Sequence, residues 1–377
     1  MGLRAVVIGT GEAGEGHTIA LRKSGVEVVA MCGRTPEPAR AMATKLEIED
    51  VRFDWQQALN EIRPDIVSLA TPGRPHQEMA ETAASLDCHI FCDKPLALSA
   101  SSARSMLRTV KKAGIKHAYG TSSRYTPAMR HAMALISDGL IGPIREIESV
   151  LHVELPSQAP FCWIHDLSLG GGFLNNIFTH VVGQVLYLSS GRIKEASGEA
   201  KYLFGKVPVG DTIHLFSDLF SNPVEINEKT VWREADADSG YSVITRIQGP
   251  EGNNISALFR KGPRDPNPGY LSIHGEVGSL NILGSVFTTE IKHCKAGSSE
   301  WAQIDIPDNL FVPFPDKNFV QGCWNELFRE FADDIRGEGN ASYPTFYEGW
   351  VHAELIDIAR NRTGWQVISE SQKVKAT

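Results

Sequence analysis

No stretch of about 18 consecutive apolar residues occurs in the 377-residue chain, so no membrane-spanning helix is expected. The apolar opening from Met1 to Gly9 is too short for a secretory core and lacks a small-residue cleavage site, which reads as a cytoplasmic protein. Blocks of Lys and Arg are missing as well: 37 basic residues against 45 acidic ones leave a formal charge of −8. Binding a nucleic-acid backbone takes a concentrated basic surface, so nucleic acid is not expected as a partner. Cysteine is sparse: Cys32, Cys88, Cys92, Cys162, Cys294 and Cys323 form no C-x-x-C pair and read as reduced thiols. Cys88 and Cys92 have His89 between them, but no second cluster completes a metal site, and no metal is expected. Internal repeats are absent, and only the tail from Ser369 to Thr377 reads as frayed.

What is present is the balance of a globular protein, 42% hydrophobic and 22% charged. At about 150 residues per domain, the length predicts two domains. Through residue 120, short apolar runs alternate with longer helical stretches. Ala5–Ile8, Val26–Met31, Asp65–Ala70, His89–Cys92 and Lys116–Tyr119 read as strands; Thr18–Ser24, Pro38–Leu46, His76–Leu86 and Ser99–Ala113 read as helices. Strands apolar on both faces and separated by single helices imply a parallel, doubly wound α/β sheet. Beyond about residue 122 the rhythm changes. A helix from Pro127 to Ser137 leads to strands at Ile144–Val153, Ser242–Ile247, Ile255–Phe259 and Tyr270–His274, several alternating polar and apolar residues. That is the pattern of an antiparallel sheet with two unlike faces. The expected organisation is a Rossmann domain over 1–122 and an α+β domain over 123–377 built on a large, mostly antiparallel open sheet. An open face invites a second copy, so a homodimer or homotetramer through that sheet is expected.

Gly9-Thr10-Gly11-Glu12-Ala13-Gly14 fits G-x-G-x-x-G. The string alone is weak, and a structural turn is its plain alternative, but it follows an apolar strand and opens a helix, where the glycines admit a pyrophosphate at the helix N-terminus. Glu12 and Glu15 add negative charge there and must point away from the phosphates. At the end of the second strand, where an NAD site carries Asp or Glu, the chain has Gly33-Arg34-Thr35. Without a carboxylate, and with Arg34 and the Thr35 hydroxyl as donors, NADP is preferred over NAD. The strand His89–Cys92 runs into Asp93-Lys94-Pro95, and strand carboxyl ends face the ligand crevice, so Lys94 is a chemical candidate; an exposed strand-end lysine is the alternative. Downstream, Gly170-Gly171-Gly172 precedes Asn176 and His180, spaced i and i+4 on one helical face. A histidine on such an apolar helix is otherwise a satisfied core residue.

Together, Gly9 to Gly14 followed by His17, Thr71-Pro72 with His76, Asp93-Lys94-Pro95, and Gly170-Gly171-Gly172 with His180 resemble the Gfo/Idh/MocA oxidoreductases. The likeness runs nearly end to end, taking in Ile136 to Gly142, Ile273 to Leu280 and a helix from Glu348 to Arg360. It implies an NAD(P)-dependent enzyme acting on a ring hydroxyl or ketone of a sugar, cyclitol or glycoside. Lys94 then corresponds to the lysine that binds the reacting oxygen, and His180 to the general acid/base. Asp93 stands where the family has Glu, a mild change. Asn176 stands where the family usually has Asp, and an amide neither ionises nor accepts a proton at neutral pH. Asn176 is therefore left to orient groups by hydrogen bonds, with proton transfer carried by His180 and Lys94.

By position, Thr71, Pro72 and His76 pass near the nicotinamide ribose, with a helix cap as the competing account. Arg124, Trp163 and His165 are candidate substrate contacts, against a structural role for Arg124 and core packing for Trp163. Two other functions fit the same residues. One is a hydrolase or lyase that holds NAD tightly and oxidises its substrate only transiently; the other is an NADP(H) sensor without chemistry.

Overall fold

The computed structural model describes residues 2–153, 155–211, 213, 218–262, 269–284, 290–315, 318–339 and 342–370. The end of the tail expected to fray, from 371 on, lies outside them. Near the N-terminus six parallel strands form one sheet: β1 (Arg4–Ile8), β2 (Glu27–Cys32), β3 (Val51–Arg52), β4 (Ile66–Leu69), β5 (His89–Cys92) and β6 (His117–Tyr119). Their order is β3-β2-β1-β4-β5-β6, reversing between β1 and β4, which is the doubly wound arrangement with its ligand crevice at that reversal. Strands rich in Val, Ile and Ala suit burial on both faces, and Ala5, Val6 and Val7 are wholly inaccessible. The crossovers are α1 (Glu12–Lys23), α2 (Pro36–Lys45), α3 (Trp55–Ile62), α4 (His76–Ser85) and α5 (Ala100–Ala113). Ser99 starts α5 by accepting the Ser102 N–H at 3.1 Å, and Gly114 ends it in the left-handed conformation. Both β3 and α3 are additions to the sequence reading. α3 has eight residues and buries only Ala58 and Leu59, too little for a visible period, although Asp54 caps it through the Gln57 N–H at 3.0 Å.

After α6 (Pro127–Ser137) come β7 (Ile144–His152), α7 (Thr179–Ser189), β8 (Arg192–Lys201), β9 (Lys206–Pro208), α8 (Asp218–Ser221), β10 (Trp232–Glu234), β11 (Gly240–Gln248), β12 (Asn254–Gly262), β13 (Tyr270–Gly275), β14 (Gly278–Leu283), β15 (Glu290–Lys295) and β16 (Ala302–Ile304). They are followed by α9 (Phe319–Arg336), α10 (Phe346–Asn361) and β17 (Gln366–Val367). A nine-stranded sheet runs β16-β15-β14-β13-β7-β12-β11-β8-β17, antiparallel throughout except between β7 and β12. Along β11, Tyr241, Val243, Thr245 and Ile247 are buried while Ile244, Arg246 and Gln248 are exposed. This alternation marks one covered and one open face. On the covered face Phe178 meets Tyr241 and Phe259 edge-on, with ring centroids 4.8 and 5.5 Å apart.

The chain packs as two compact units. Among the described residues one comprises those through Arg130 together with Pro307–Ala353, the other His131–Ile306 with Glu354–Glu370. A single cut near residue 122 does not describe this path, because α9 and the first part of α10 return to the first unit. α9 lies along α1, with the Trp324 ring where a β-carbon on Gly16 would be, 2.1 Å away. Phe328 stacks on Phe91 at 3.9 Å, so a helix over 300 residues distant in sequence from β1 completes the first unit's core.

Candidate active site

β1 delivers the chain to Gly9, whose φ of +132° suits glycine and whose N–H reaches the Cys32 carbonyl at 2.9 Å. α1 begins after Gly11 with no side chain capping its N-terminus, so its first N–H groups and positive dipole end face outward. A β-carbon on Gly11 would meet nothing within 4 Å, whereas one on Gly14 would run into Gly9. This open helix end, reached by bare backbone, fits a pyrophosphate. Glu15 is ion-paired with Lys45 at 2.7 Å. At the end of β2, position 33 has no room for a side chain: a β-carbon would lie 2.6 Å from Thr10 Cγ2 and 2.7 Å from Ala39 Cβ. Arg34 and Thr35 are exposed immediately beyond.

The loops after β4 and β5 carry the next group. His76 is fully buried, with Nε2 2.8 Å from the Thr71 carbonyl and Nδ1 3.1 and 3.2 Å from those of Pro95 and Leu96. It ties the Thr71-Pro72 loop to the residues following Lys94. It does not cap α4, whose N-terminus has no side-chain cap. Burial lowers its pKa and raises that of Cys92, whose sulfur lies 3.2 Å from Nδ1. His17, also fully buried, contacts Ser68 Oγ at 3.0 Å through Nδ1 and packs its ring against Phe91 and Phe328. Burial pulls its pKa down to about 4, only partly opposed by Asp93. Asp93 is buried, and Lys94 is half-buried at the start of a cis Lys94–Pro95 bond. Arg124 also belongs to this unit; it is buried and donates to the Ser342 carbonyl at 3.1 Å.

In the second unit, a short turn over Trp163–His165 leaves Trp163 half-buried and His165 buried. The Cys162 N–H donates to His165 Nδ1 at 3.2 Å, and burial brings the ring's pKa to about 4. Neutral His165 therefore carries its hydrogen on Nε2, as a donor. Gly172 has φ +93°, and a β-carbon there would strike Asp238 and Arg360. The helix does not start regularly. Leu174–Phe178 forms one π-helical turn, with the Phe178 N–H on the Phe173 carbonyl at 3.0 Å, and α7 begins only at Thr179. Asn176 and His180 thus straddle a π-to-α junction rather than sharing one regular helical face. Asn176 Nδ2 donates to the Gly172 carbonyl at 2.9 Å, Thr179 Oγ1 to the Asn176 carbonyl at 2.7 Å, and His180 is half-buried.

The first unit gathers Gly9, Gly11 and Gly14 with Gly33–Thr35, Thr71–His76 and Asp93–Lys94 at the carboxyl ends of β1, β2, β4 and β5. The second gathers Trp163 and His165 with the turn leading to Asn176 and His180. Sequence reasoning missed Asp238 and Arg360, which lie 62 and 184 residues beyond Asn176. Nothing local singles them out: Asp238 is the last of three alternating acids, Glu234, Asp236 and Asp238, before a strand. Among the described residues no group of three or more His, Cys, Asp or Glu could hold a metal, and no helix is long and apolar enough to cross a membrane. All six cysteines are free and buried.

Comparison with known proteins bears on both units. Residues 3–121 match a profile described as an oxidoreductase family with an NAD-binding Rossmann fold, and residues 129–252 match the companion Gfo/Idh/MocA C-terminal domain. The chain is 32% identical over 156 residues to a levoglucosan dehydrogenase of Pseudarthrobacter phenanthrenivorans, 41% of this chain and 40% of that one. It is 29% identical over 190 residues to a D-glucoside 3-dehydrogenase of Escherichia coli, 49% and 54% of the two chains. The chain thus spans about half the length of the curated relatives it matches. A solved levoglucosan dehydrogenase in complex with NADH and L-sorbose has the same fold, with TM-score 0.77, 21% identity and coverage of 98% and 99%.

Proposed function

The chain belongs to the Gfo/Idh/MocA oxidoreductase family, and from this we propose that it is an NAD(P)-dependent dehydrogenase acting on a ring hydroxyl, or the matching ketone, of a sugar, cyclitol or glycoside. The observation that carries the reading is the uncapped start of α1 with the open space at Gly11. A ligand accepting backbone N–H bonds can use such an end, here in the setting of a glycine string that follows a parallel strand. Gly9, Gly11 and Gly14 would hold the pyrophosphate, and Thr71, Pro72 and Asp93 would border the nicotinamide end. A bound nicotinamide supplies the hydride acceptor or donor.

The chain's own part is the proton. Lys94 holds the reacting oxygen with its ammonium, and His180 takes the hydroxyl proton on oxidation and returns it on reduction. Asn176 cannot share that proton. The neutral Nε2–H of His165, Trp163 and Arg124 supply substrate contacts. NADP is the preferred nucleotide: position 33 excludes the ribose-binding carboxylate, and Arg34 with Thr35 offers donors to a 2′-phosphate. The open face of the nine-stranded sheet, where Arg246 stacks on Trp365 at 4.3 Å beside exposed Ile244, is covered by a second copy.

The test begins with purified protein mixed separately with NAD, NADH, NADP and NADPH, followed by a screen of sugars and cyclitols. Exchangeable NADP(H) and turnover that vanishes in Lys94→Ala, with nucleotide affinity kept, support the proposal. Nucleotide binding with Lys94→Ala as active as wild type overturns the site assignment. A firmly retained NAD, with substrate cleaved and no net change in free nucleotide, replaces the dehydrogenase by the transient-oxidation reading.

A further inference from the structure

We propose that Asp238 and Arg360 are positioning residues for the proton-transfer segment, a buried ion pair that holds the π-helical turn carrying Asn176 and sets where His180 begins. The inference rests on the reading of His180 given above. Asp238 has no accessible side-chain surface and Arg360 only 11%. The guanidinium donates to Asp238 Oδ1 through Nε at 2.8 Å and again through Nη2. The other carboxylate oxygen, Oδ2, accepts the Leu174 N–H at 2.8 Å, and the Asp238 carbonyl accepts the Phe173 N–H at 3.1 Å. Arg360 Nη1 also reaches Asn175 Oδ1 at 3.4 Å.

The first N–H groups of a helix have no partner within it. Here the Leu174 N–H finds one in Asp238, and a carboxylate at that end also suits the dipole. Carboxylate alone would be expensive to bury, and the fork of Arg360 offsets that cost with geometry a lysine cannot reproduce. Gly172 completes the fit, since a β-carbon there would lie 2.5 Å from Asp238 Oδ1 and 2.8 Å from Arg360 Nη2. The surrounding chain is built on the same template. Asp236 Oδ1 accepts the Leu167 N–H at 2.8 Å, the Gly172 N–H reaches Ile164 O at 2.8 Å, and Lys261 Nζ, over the Phe173 ring at 4.0 Å, donates to Ser239 O at 2.5 Å. A π-helical turn lacks the regular i→i+4 ladder and depends on such outside contacts to persist.

The experiment compares Asp238→Asn, Arg360→Lys, their double variant and His180→Ala with wild type. It combines amide hydrogen exchange over residues 172–180, steady-state oxidation of levoglucosan, methyl glucoside and myo-inositol, and NADPH affinity. Lys206→Gln, which breaks an exposed ion pair with Glu234 in the same unit, is the control and should match wild type. Expected for Asp238→Asn are exchange at Leu174 and Phe178 at least tenfold faster, kcat lower by about 100-fold, and KM and NADPH affinity within about threefold, because an ångström of misplacement is felt in the chemical step. The kcat–pH profile should shift as well, which a merely structural loss would not produce. The double variant should lose no more than the worse single one. Should Asp238→Asn fail to fold, Arg360→Lys carries the test with the charge kept. Unchanged exchange in the folded variants overturns the inference whatever their activity. A fully active His180→Ala overturns the functional reading instead, and the exchange result still decides whether the pair holds the turn.

Discussion

A β-carbon on Gly14 would lie 2.1 Å from the carbonyl oxygen of Gly9; the first turn of α1 and the end of β1 touch through bare backbone. Gly11, between them, faces open space. The two glycines should therefore fail differently. Gly14→Ala forces α1 off the sheet and is expected to lower both the melting temperature of the nucleotide-free protein and its NADPH affinity. Gly11→Ala meets no atom within 4 Å and has an unremarkable φ of −93°. It should melt like wild type and lose about tenfold or more in NADPH affinity, since its methyl occupies the path of the pyrophosphate. Calorimetric titration beside thermal unfolding separates the two, and a Gly11→Ala protein that binds as well as wild type would move the pyrophosphate elsewhere.

The proposed preference for NADP rests on one exposed side chain, Arg34. A charge-assisted hydrogen bond contributes about 1.5–3 kcal/mol, so Arg34→Ala should weaken NADPH binding by roughly 10- to 100-fold and leave NADH within about twofold. Equal losses for both nucleotides would show that Arg34 acts on something they share, and the preference for NADP would lose its basis.

In the N-terminal sheet β1, β2, β4 and β5 were legible because they are largely apolar runs of four to six residues, each followed by a helix, and α5 carries its own start and stop signals in Ser99 and Gly114. The short α3 was not, since two buried residues leave no period. Local motifs pointed to Gly9, Lys94 and His180, each carried by a glycine string or a strand end. The return of α9 was invisible for a different reason: Phe328 stacks on Phe91 across more than 230 residues, and no periodicity encodes a partner that far away. Asp238 and Arg360 escaped in the same way. The π-helical turn was hidden too, because the i and i+4 spacing of Asn176 and His180 presumes the regular helix that the turn interrupts.

Buried neutral histidines should make the protein acid-sensitive. Burial holds His17 at about 4 and His352 at about 3, against an ordinary value of 6.5. Below pH 6.5 the unfolded chain binds protons that the folded chain refuses, so stability rises with pH in that range. Their contribution is complete above about pH 6.5 and is lost as pH falls toward 4, by roughly 3 kcal/mol for His17. Denaturant unfolding between pH 4.5 and 7.5 should show this slope. His17→Phe should flatten it without abolishing it, because His117 and His165 are also held at about 4 by burial. The same slope in wild type and His17→Phe would mean that His17 takes up its proton in the folded state.

Placing at position 176 the carboxylate usual in the family should harm this protein. Asn176 Nδ2 donates to the Gly172 carbonyl at 2.9 Å, and an ionised Asp in its place would set oxygen against oxygen. Replacing that bond by repulsion costs about 1–3 kcal/mol, which raises the new carboxyl's pKa, since only its protonated form can donate to Gly172. Asn176→Asp is therefore expected to be less stable than wild type at pH 8 and close to it at pH 5, with the deficit growing as pH rises. At pH 8 its kcat should be at least tenfold lower, recovering relative to wild type as the pH is lowered. The comparison takes thermal unfolding and kcat for both proteins at the two pH values. Faster turnover at pH 8 in the variant would mean that a carboxylate at 176 still assists the proton, and that the turn around Gly172 adapts to whichever side chain it receives.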